Sequence, residues 1–299
     1  MDSKRLRHFL AIYDSGSLGQ AAAVVHVTQP ALTKSIKQLE DRLQVKLFDR
    51  TPLGVVPTVY GEALAVHAKA IQAEVRAAET QLAMLRGAAG GHVVVGIGPT
   101  LATDLMPLAT AQLFRRKPGI QVTVVEGLLE DLIPALRRGE LDLAITACSM
   151  GSDADLVSET IFRDKVGILC SATHPLATQA SIAIKEMLNY PWALPTQKVA
   201  WRRCLDDLFF AEGLAPPAAI VTSTSAFFLR ALLLQGSFIS YLPHRLVAAE
   251  VRAGQIVSLP VPNAVLDIEG TLTYRKRTAM AVAMRELIDI LHSIVAKDF

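Results

Sequence analysis

Gln29, Thr33 and Lys37 recur every four residues, with Lys34 and Gln38 one step along, so in a helix their side chains share one face. Such a face carries amides, a hydroxyl and ammonium groups. Gln can pair with an adenine edge in a DNA major groove, and Lys can reach guanine or a phosphate. The ordinary alternative is a solvated helix face, which carries the same residue types.

The neighbouring elements decide how that face is held. Leu6, Phe9, Leu10 and Tyr13 fall at three- and four-residue spacings and predict an amphipathic helix over residues 4–14, ended by Gly16. Ser17 and Gln20 form a capping box for a second helix, whose Ala21-Ala22-Ala23-Val24-Val25 run permits close helix approach and stops near His26-Val27. Thr28 is the N-cap of a third helix, and Pro30 in its first turn lacks only a donor that would be unpaired there. Ala31, Leu32, Ile36, Leu39 and Leu43 are its expected buried stripe. A short hairpin or wing follows over Thr51–Thr58, punctuated by Pro and Gly. Arg50 at its base either meets a sugar–phosphate backbone or pairs with Asp49 or Glu40.

Residues 5–62 resemble the winged helix–turn–helix of LysR-type transcriptional regulators. The likeness rests on Phe9, Gly16-Ser17, Ala21-Ala22, Thr28-Gln29-Pro30-Ala31-Leu32, Ile36, Leu39-Glu40, Leu43, Leu47-Phe48, Arg50 and Thr58-Gly61. It implies that Gln29, Pro30, Thr33 and Lys34 face bases and nearby phosphates, with Lys37 on the same outward face, and that Arg50 approaches the backbone beside the wing. Two departures stand out. Gln44 occupies a position where the family usually has Gly, and the wing carries Pro52 and no Arg between Arg50 and Thr58, so its tip is expected to add little phosphate contact.

From Thr58 as N-cap a long helix is predicted to run to Arg86, with Gly87 as C-cap. Leu64, Ala68, Ile71, Val75, Ala78, Leu82 and Leu85 alternate spacings of four and three, a heptad seam. Its partner is either the same helix of a second chain or this chain's own domains. A dimer would present two reading heads to half-sites roughly 34 Å apart.

Gly87-Ala88-Ala89-Gly90-Gly91 reads as a linker, and strands then alternate with helices. Strands are expected at Val93–Gly98, Ile120–Glu126, Leu141–Ile145, Val166–Leu169, Trp192–Leu194, Ala219–Val221 and Phe238–Tyr241, with helices at Leu101–Arg116, up to Arg138, and at Ala226–Leu234. The pattern indicates a mainly parallel α/β fold in two small lobes. This part is similar to the LysR-type effector domain, most clearly at Gly139-Glu140-Leu141-Asp142-Leu143-Ala144-Ile145 and His174-Pro175-Leu176. The resemblance implies the two-lobed fold of periplasmic solute-binding proteins with a ligand between the lobes. The expected organisation is therefore an α+β/α/β multidomain chain. Residues 1–58 form the winged helix–turn–helix, 59–91 a coiled-coil linker helix and hinge, and 92–299 the effector domain. Lobe one of that domain is 92–162 with 267–299, and lobe two is 163–266.

Carboxyl ends of strands in open α/β sheets meet helix N-termini that attract anions. Thr100, beside Leu101 at the expected helix start, either caps that helix alone or also donates to a carboxylate. Thr146, Thr196 and Gln197 lie at similar strand ends, and Thr224 precedes an apolar helix. Those hydroxyls with Trp201 and Phe227 suit a small organic acid, and Arg202 or Arg203 would supply the counter-charge or stand on a solvated helix face.

Enzyme signatures are lacking. Gly96-Ile97-Gly98 misses the third glycine of a dinucleotide fingerprint, and no phosphate-loop Gly-Lys-Ser/Thr, His-Glu-x-x-His or Gly-x-Ser-x-Gly occurs. The seven histidines show no metal-ligand pairing with the cysteines, so neither a metal nor a cofactor is expected. A small-molecule enzyme on the same two-lobed fold would need a catalytic pair from distant residues. Cys148, Cys170 and Cys204 are widely spaced, which points to a reducing compartment; because some family members sense peroxide through a lobe-two cysteine pair, Cys170 and Cys204 keep a redox-sensing alternative open.

The net charge is +2 with the positive excess in the first 86 residues. Lys4, Arg5 and Arg7 precede an amphipathic helix rather than the apolar core of a signal peptide, and no uncharged apolar run reaches the roughly 18 residues of a membrane span. The mean hydropathy of +0.35 suits sizeable subunit interfaces. The expected setting is cytoplasmic, and the expected partners are promoter DNA, a small organic effector and RNA polymerase. The resemblance implies homodimers joined through the linker helix and commonly paired into homotetramers.

Overall fold

A computed structural model describes residues 2–52, 54–85, 90–147, 153–276 and 280–298. The chain divides into two units, Met1–Gly91 with Pro134–Leu141, and His92–Ile133 with Asp142–Phe299.

In the first unit, α1 (Ser3–Ser15) starts where the Asp2 carboxylate accepts from Arg5 N at 2.8 Å and stops at left-handed Gly16. Helices α2 (Leu18–Val24) and α3 (Gln29–Leu43) begin at Ser17 and Thr28, whose hydroxyls accept from Gln20 N and Ala31 N. Leu6, Phe9, Leu10, Ile12, Ala21, Ala22, Leu32, Ile36 and Leu39 make one core with Leu47, Ala65 and Ala68. The buried stripe of α3 is narrower than its sequence pattern indicates. Ala31 is exposed and Leu43 is 37% exposed, so burial on α3 is confined to Leu32, Ile36 and Leu39.

The wing is the antiparallel pair β1 (Phe48–Thr51) and β2 (Gly54–Pro57). Helix α4 (Val59–Leu85) leaves it at Thr58, whose hydroxyl accepts from Gly61 N at 3.2 Å and donates to Lys46 O at 2.7 Å. Gly61 is obligatory there, since a Cβ would lie 2.3 Å from Leu47 O. Tyr13 Oη donates to Glu62 at 2.6 Å, tying α1 to α4, and that bond together with burial pushes the phenol pKa up to about 12.

The expected single seam of α4 divides. Leu64 and Ala68 pack into the first unit's own core, whereas Ile71, Val75, Ala78 and Leu82 are exposed, Leu82 by 57%. The side chain of Leu85, with Arg86, the expected cap Gly87 and linker residues Ala88 and Ala89, lies outside the described residues.

The second unit holds β3 (Gly90–Ile97), α5 (Leu105–Arg116), β4 (Gly119–Glu126), α6 (Leu129–Arg138, shared with the first unit), β5 (Leu143–Thr146) and the long β6 (Leu156–Ser171). It continues through β7 (Trp192–Pro195), α7 (Arg202–Ala211), β8 (Ala219–Ser223), α8 (Ala226–Leu233), β9 (Ile239–Pro243), α9 (Ala248–Arg252), β10 (Ile256–Ser258), β11 (Leu266–Arg275) and α10 (Val282–Asp298). Among the described residues the strands follow the order β4-β3-β5-β11-β6-β9-β7-β8, with β10 also on β6.

Pairing is parallel for β3–β5, β7–β8 and β7–β9, as the alternation of strands and helices predicts. The crossover strands β6 and β11 are antiparallel to each other and to their other neighbours, so the sheet is mixed rather than mainly parallel. One core gathers around β3, β5, α5 and α10 and includes Phe162 and Leu272; another gathers around β7, β9 and α7 and includes Val166 and Ile268. Strands β6 and β11 thus pass from one lobe to the other between those residues. Gly270 marks the crossing, because a Cβ there would lie 2.1 Å from the Phe162 ring.

Candidate nucleic-acid interface and effector cleft

On α3 the buried residues Leu32, Ile36 and Leu39 fix rotation, and the opposite face carries Pro30, Lys34 and Lys37, all exposed, with Gln29 exposed in the first turn beside Gly19 of α2 and Thr33 half-buried. Gln38, expected on the outward face, accepts from Arg5 Nη2 at 3.2 Å. His8 on α1 is buried against α3, its Nδ1 2.8 Å from Ser35 Oγ, and burial with nearby Lys4 and Arg7 lowers its pKa.

The wing is set by a residue the sequence reading did not single out for this role. Glu40 Oε1 accepts from Leu47 N at 2.7 Å and Phe48 N at 3.4 Å, so the start of β1 hangs from α3. Between α3 and the wing lies a groove of about 920 Å³ lined by Thr33, Lys37, Lys46 and Arg50 together with Glu40, Asp41 and Asp49. Arg50 is exposed and forms no ion pair among the described residues, with neither Asp49 nor Glu40. Gln44 ends α3 in the left-handed region at φ 55°, so the turn that usually employs Gly is made here by Gln, whose Nε2 donates to Asp41 O.

In the second unit the strand ends gather as the sheet order requires, but several expected roles change. Helix α5 begins at Leu105 with the Asp104 carboxylate accepting from Leu105 N, so Asp104 rather than Thr100 caps it. Residues 99–104 form turns in which Thr100 is buried, and Leu101 belongs to the lobe-one core rather than to a ligand surface. Thr146 is buried, its Oγ1 3.1 Å from that of Thr271.

Beyond β7, Thr196 Oγ1 and Trp201 Nε1 are buried with no partner among the described residues. Gln197 is exposed and donates to Asp206. Arg202 does not face a cleft as a counter-charge: its side chain is 6% exposed and its guanidinium is held by Asp206 one turn along α7. Thr224 is exposed just beyond β8, where the pairing of Pro195 with Ser223 sets it beside Thr196, whereas Phe227 packs in a separate cluster with Arg230 over its ring.

Two ion pairs join groups beyond the strand ends of opposite lobes, Arg245 Nε to Asp104 Oδ2 at 2.8 Å and Lys198 Nζ to Glu130 Oε1 at 3.0 Å. Neither was foreseen in the sequence, since each couples residues far apart in the chain. Cys170 is buried with its thiol pushed up to about 12 by desolvation, which suppresses the thiolate, and Cys204 is half-buried; both are free. Cys148 lies outside the described residues. No group of metal-ligating side chains occurs among the described residues, and no helix among them is long and apolar enough to cross a membrane.

A winged helix–turn–helix with an outward amide and cationic helix face, carried on the same chain as a two-lobed α/β unit, defines a DNA-binding protein with a ligand-binding domain. The chain belongs to the LysR family. Residues 3–62 match the model described as bacterial regulatory helix-turn-helix protein, lysR family, and residues 86–295 match the LysR substrate binding domain. It is 30% identical over 298 residues to the HTH-type transcriptional regulator PcaQ of Agrobacterium fabrum (strain C58 / ATCC 33970), covering 99% of this chain and 96% of that protein. A full-length OxyR variant from Pseudomonas aeruginosa is similar in structure, with a TM-score of 0.70, 26% identity and coverage of 99% and 95%. The fold is also that of full-length CbnR in complex with its target DNA, with a TM-score of 0.53, 18% identity and coverage of 99% and 100%. The protein is accordingly a LysR-type transcriptional regulator with a helix–turn–helix DNA-binding domain and an effector-binding domain, and not an enzyme.

Proposed function

We propose that α3 enters the major groove of promoter DNA with Gln29, Pro30, Thr33, Lys34 and Lys37 at the bases and adjacent phosphates, while Arg50 meets the backbone beside the wing. The observation that carries this reading is the division of α3 into a buried stripe and an outward face of amide and ammonium groups. The exposed apolar stripe Ile71, Val75, Ala78 and Leu82 supports pairing of α4 with the same helix of a second copy, which doubles the reading head. We assign residues 1–58 to the reading head, 59–91 to the linker and 92–299 to the effector domain.

A small organic acid binds between the lobes near Thr100, Thr146, Thr196 and Trp201 and changes their angle. In a homotetramer that change reaches α4 and the spacing of the heads, and through it RNA polymerase. The setting is the cytoplasm, where promoter DNA and polymerase reside. Titration of a fluorescent promoter fragment at several salt concentrations tests the reading. Lys34→Ala and Gln29→Ala are each expected to weaken binding by about tenfold, in line with about 1–3 kcal/mol for a good base contact. Unchanged affinity in both variants would refute the assignment of the face.

A further inference from the structure

Four groups converge at the gap between the lobes. Asp104 follows β3 and Glu130 follows β4 on one side; Arg245 follows β9 and Lys198 follows β7 on the other. Strands β7 and β9 run parallel with Trp192 opposite Ile239, so extending that register to their ends sets Thr196 beside Pro243, two residues from Arg245. The Arg245 guanidinium lies 5.2 Å from the centre of the Phe162 ring at the lobe crossing, which orients it, and its side chain is only 17% exposed. Lys198, at 67% exposed, is a rim group, and Arg202 is committed to Asp206.

Arg245 is therefore the more sheltered of the two cations; the carboxylate in ion-pair contact with its guanidinium comes from the opposite lobe, while Asp164 of its own lobe lies beside it and accepts from its backbone amide. Beyond the end of β7 the Thr196 hydroxyl and, five residues on, the Trp201 indole N–H are buried without partners among the described residues, at a cost that an acceptor on a ligand would remove. Resting on the effector-cleft reading above, we propose that Arg245 anchors the carboxylate of a small organic monoacid, in competition with Asp104 for the same guanidinium, while Trp201 and Thr196 donate to a second acceptor on that acid. Binding exchanges one carboxylate for another at Arg245, so a direct bridge between the lobes becomes one that passes through the ligand.

The test uses the full-length protein at constant ionic strength, titrated calorimetrically with sodium benzoate and sodium acetate as probes and benzamide as the uncharged control. Asp104→Asn keeps an acceptor for Leu105 N but removes the competing charge, and is expected to bind one or both carboxylates about tenfold more tightly than wild type. Arg245→Gln is expected to bind about tenfold more weakly, with Arg245→Lys intermediate should the Gln variant fold poorly. Benzamide is expected not to bind.

Equal carboxylate affinity in wild type, Asp104→Asn and the Arg245 variants overturns the proposal, as does benzamide binding as well as benzoate, or no saturable carboxylate binding even to Asp104→Asn. Thr196→Val separates the two levels of failure. Binding that survives at Arg245→Gln but is lost at Thr196→Val refutes the anchor and keeps the cleft, whereas binding that survives both places the site elsewhere.

Discussion

Glu40 offers the most local test of how this chain holds its wing against its recognition helix. Its carboxylate takes Leu47 N at 2.7 Å and Phe48 N at 3.4 Å, the second near the limit of a hydrogen bond. Bonds from backbone amides to a carboxylate contribute about 1.5–3 kcal/mol when short, and the half-buried setting of Glu40 argues for the lower end. Glu40→Ala should thus cost about 1.5 kcal/mol locally. Exchange of the Leu47 and Phe48 amides with deuterated water should speed up by about tenfold, the factor that corresponds to 1.4 kcal/mol. Glu40→Gln keeps an uncharged acceptor and should lose less than half as much.

Because β1 carries Arg50, the Ala variant should also show a DNA-binding salt slope smaller by about one phosphate contact. Protection unchanged in Glu40→Ala would refute the anchoring role. Lost protection with an unchanged salt slope would instead detach Arg50 from the phosphate assignment.

Two further outcomes follow from buried groups. His8 has a lowered pKa in the folded chain, so as pH falls through about 6.5 the unfolded chain takes up a proton that the native ring resists, and stability of the reading head drops until the native ring protonates as well. Urea melts followed by circular dichroism at pH 7.5 and 5.5 should show this loss, and His8→Phe should reduce it; pH-independent melts would contradict the buried neutral ring. Gly270→Ala places a methyl where the Phe162 ring lies, so it should destabilise the effector domain by about 1–3 kcal/mol, with Phe162→Leu restoring part of the loss in the double variant; an unchanged thermal midpoint for Gly270→Ala would show that the crossing is looser than the contact implies.

What could be read from the sequence depended on how local the cause was. The caps at Ser17, Thr28 and Thr58 act within three residues, and each hydroxyl accepts where expected. Thr100 does not cap α5 because residues 99–104 turn before the helix begins, and Asp104 is an equally good cap one turn later. Only Val166–Leu169 of β6 carries a strand signal in the sequence, since its first half alternates exposed polar residues as it crosses between lobes, and the glycine-interrupted β11 carries none.

Arg202 looked like a counter-charge until α7 set Asp206 four residues along on the same face, a pairing that helical spacing alone would have revealed. No local pattern reveals Arg245 with Asp104, which lie 141 residues apart and meet only because the chain crosses between lobes twice. Nor does one reveal Glu40 under the wing, whose seven-residue reach passes through the left-handed turn at Gln44.

If the outward face of α3 reads the major groove in duplicate, guanine N7, which lies in that groove, must be covered at two places, and interference by N7 methylation over a promoter fragment detects this. The expected result is two clusters of interfering guanines about one helical turn, roughly 10 base pairs, apart, with both clusters weakened in the Lys34→Ala protein. A single cluster, or a pattern that the Lys34→Ala protein leaves unchanged, would contradict it.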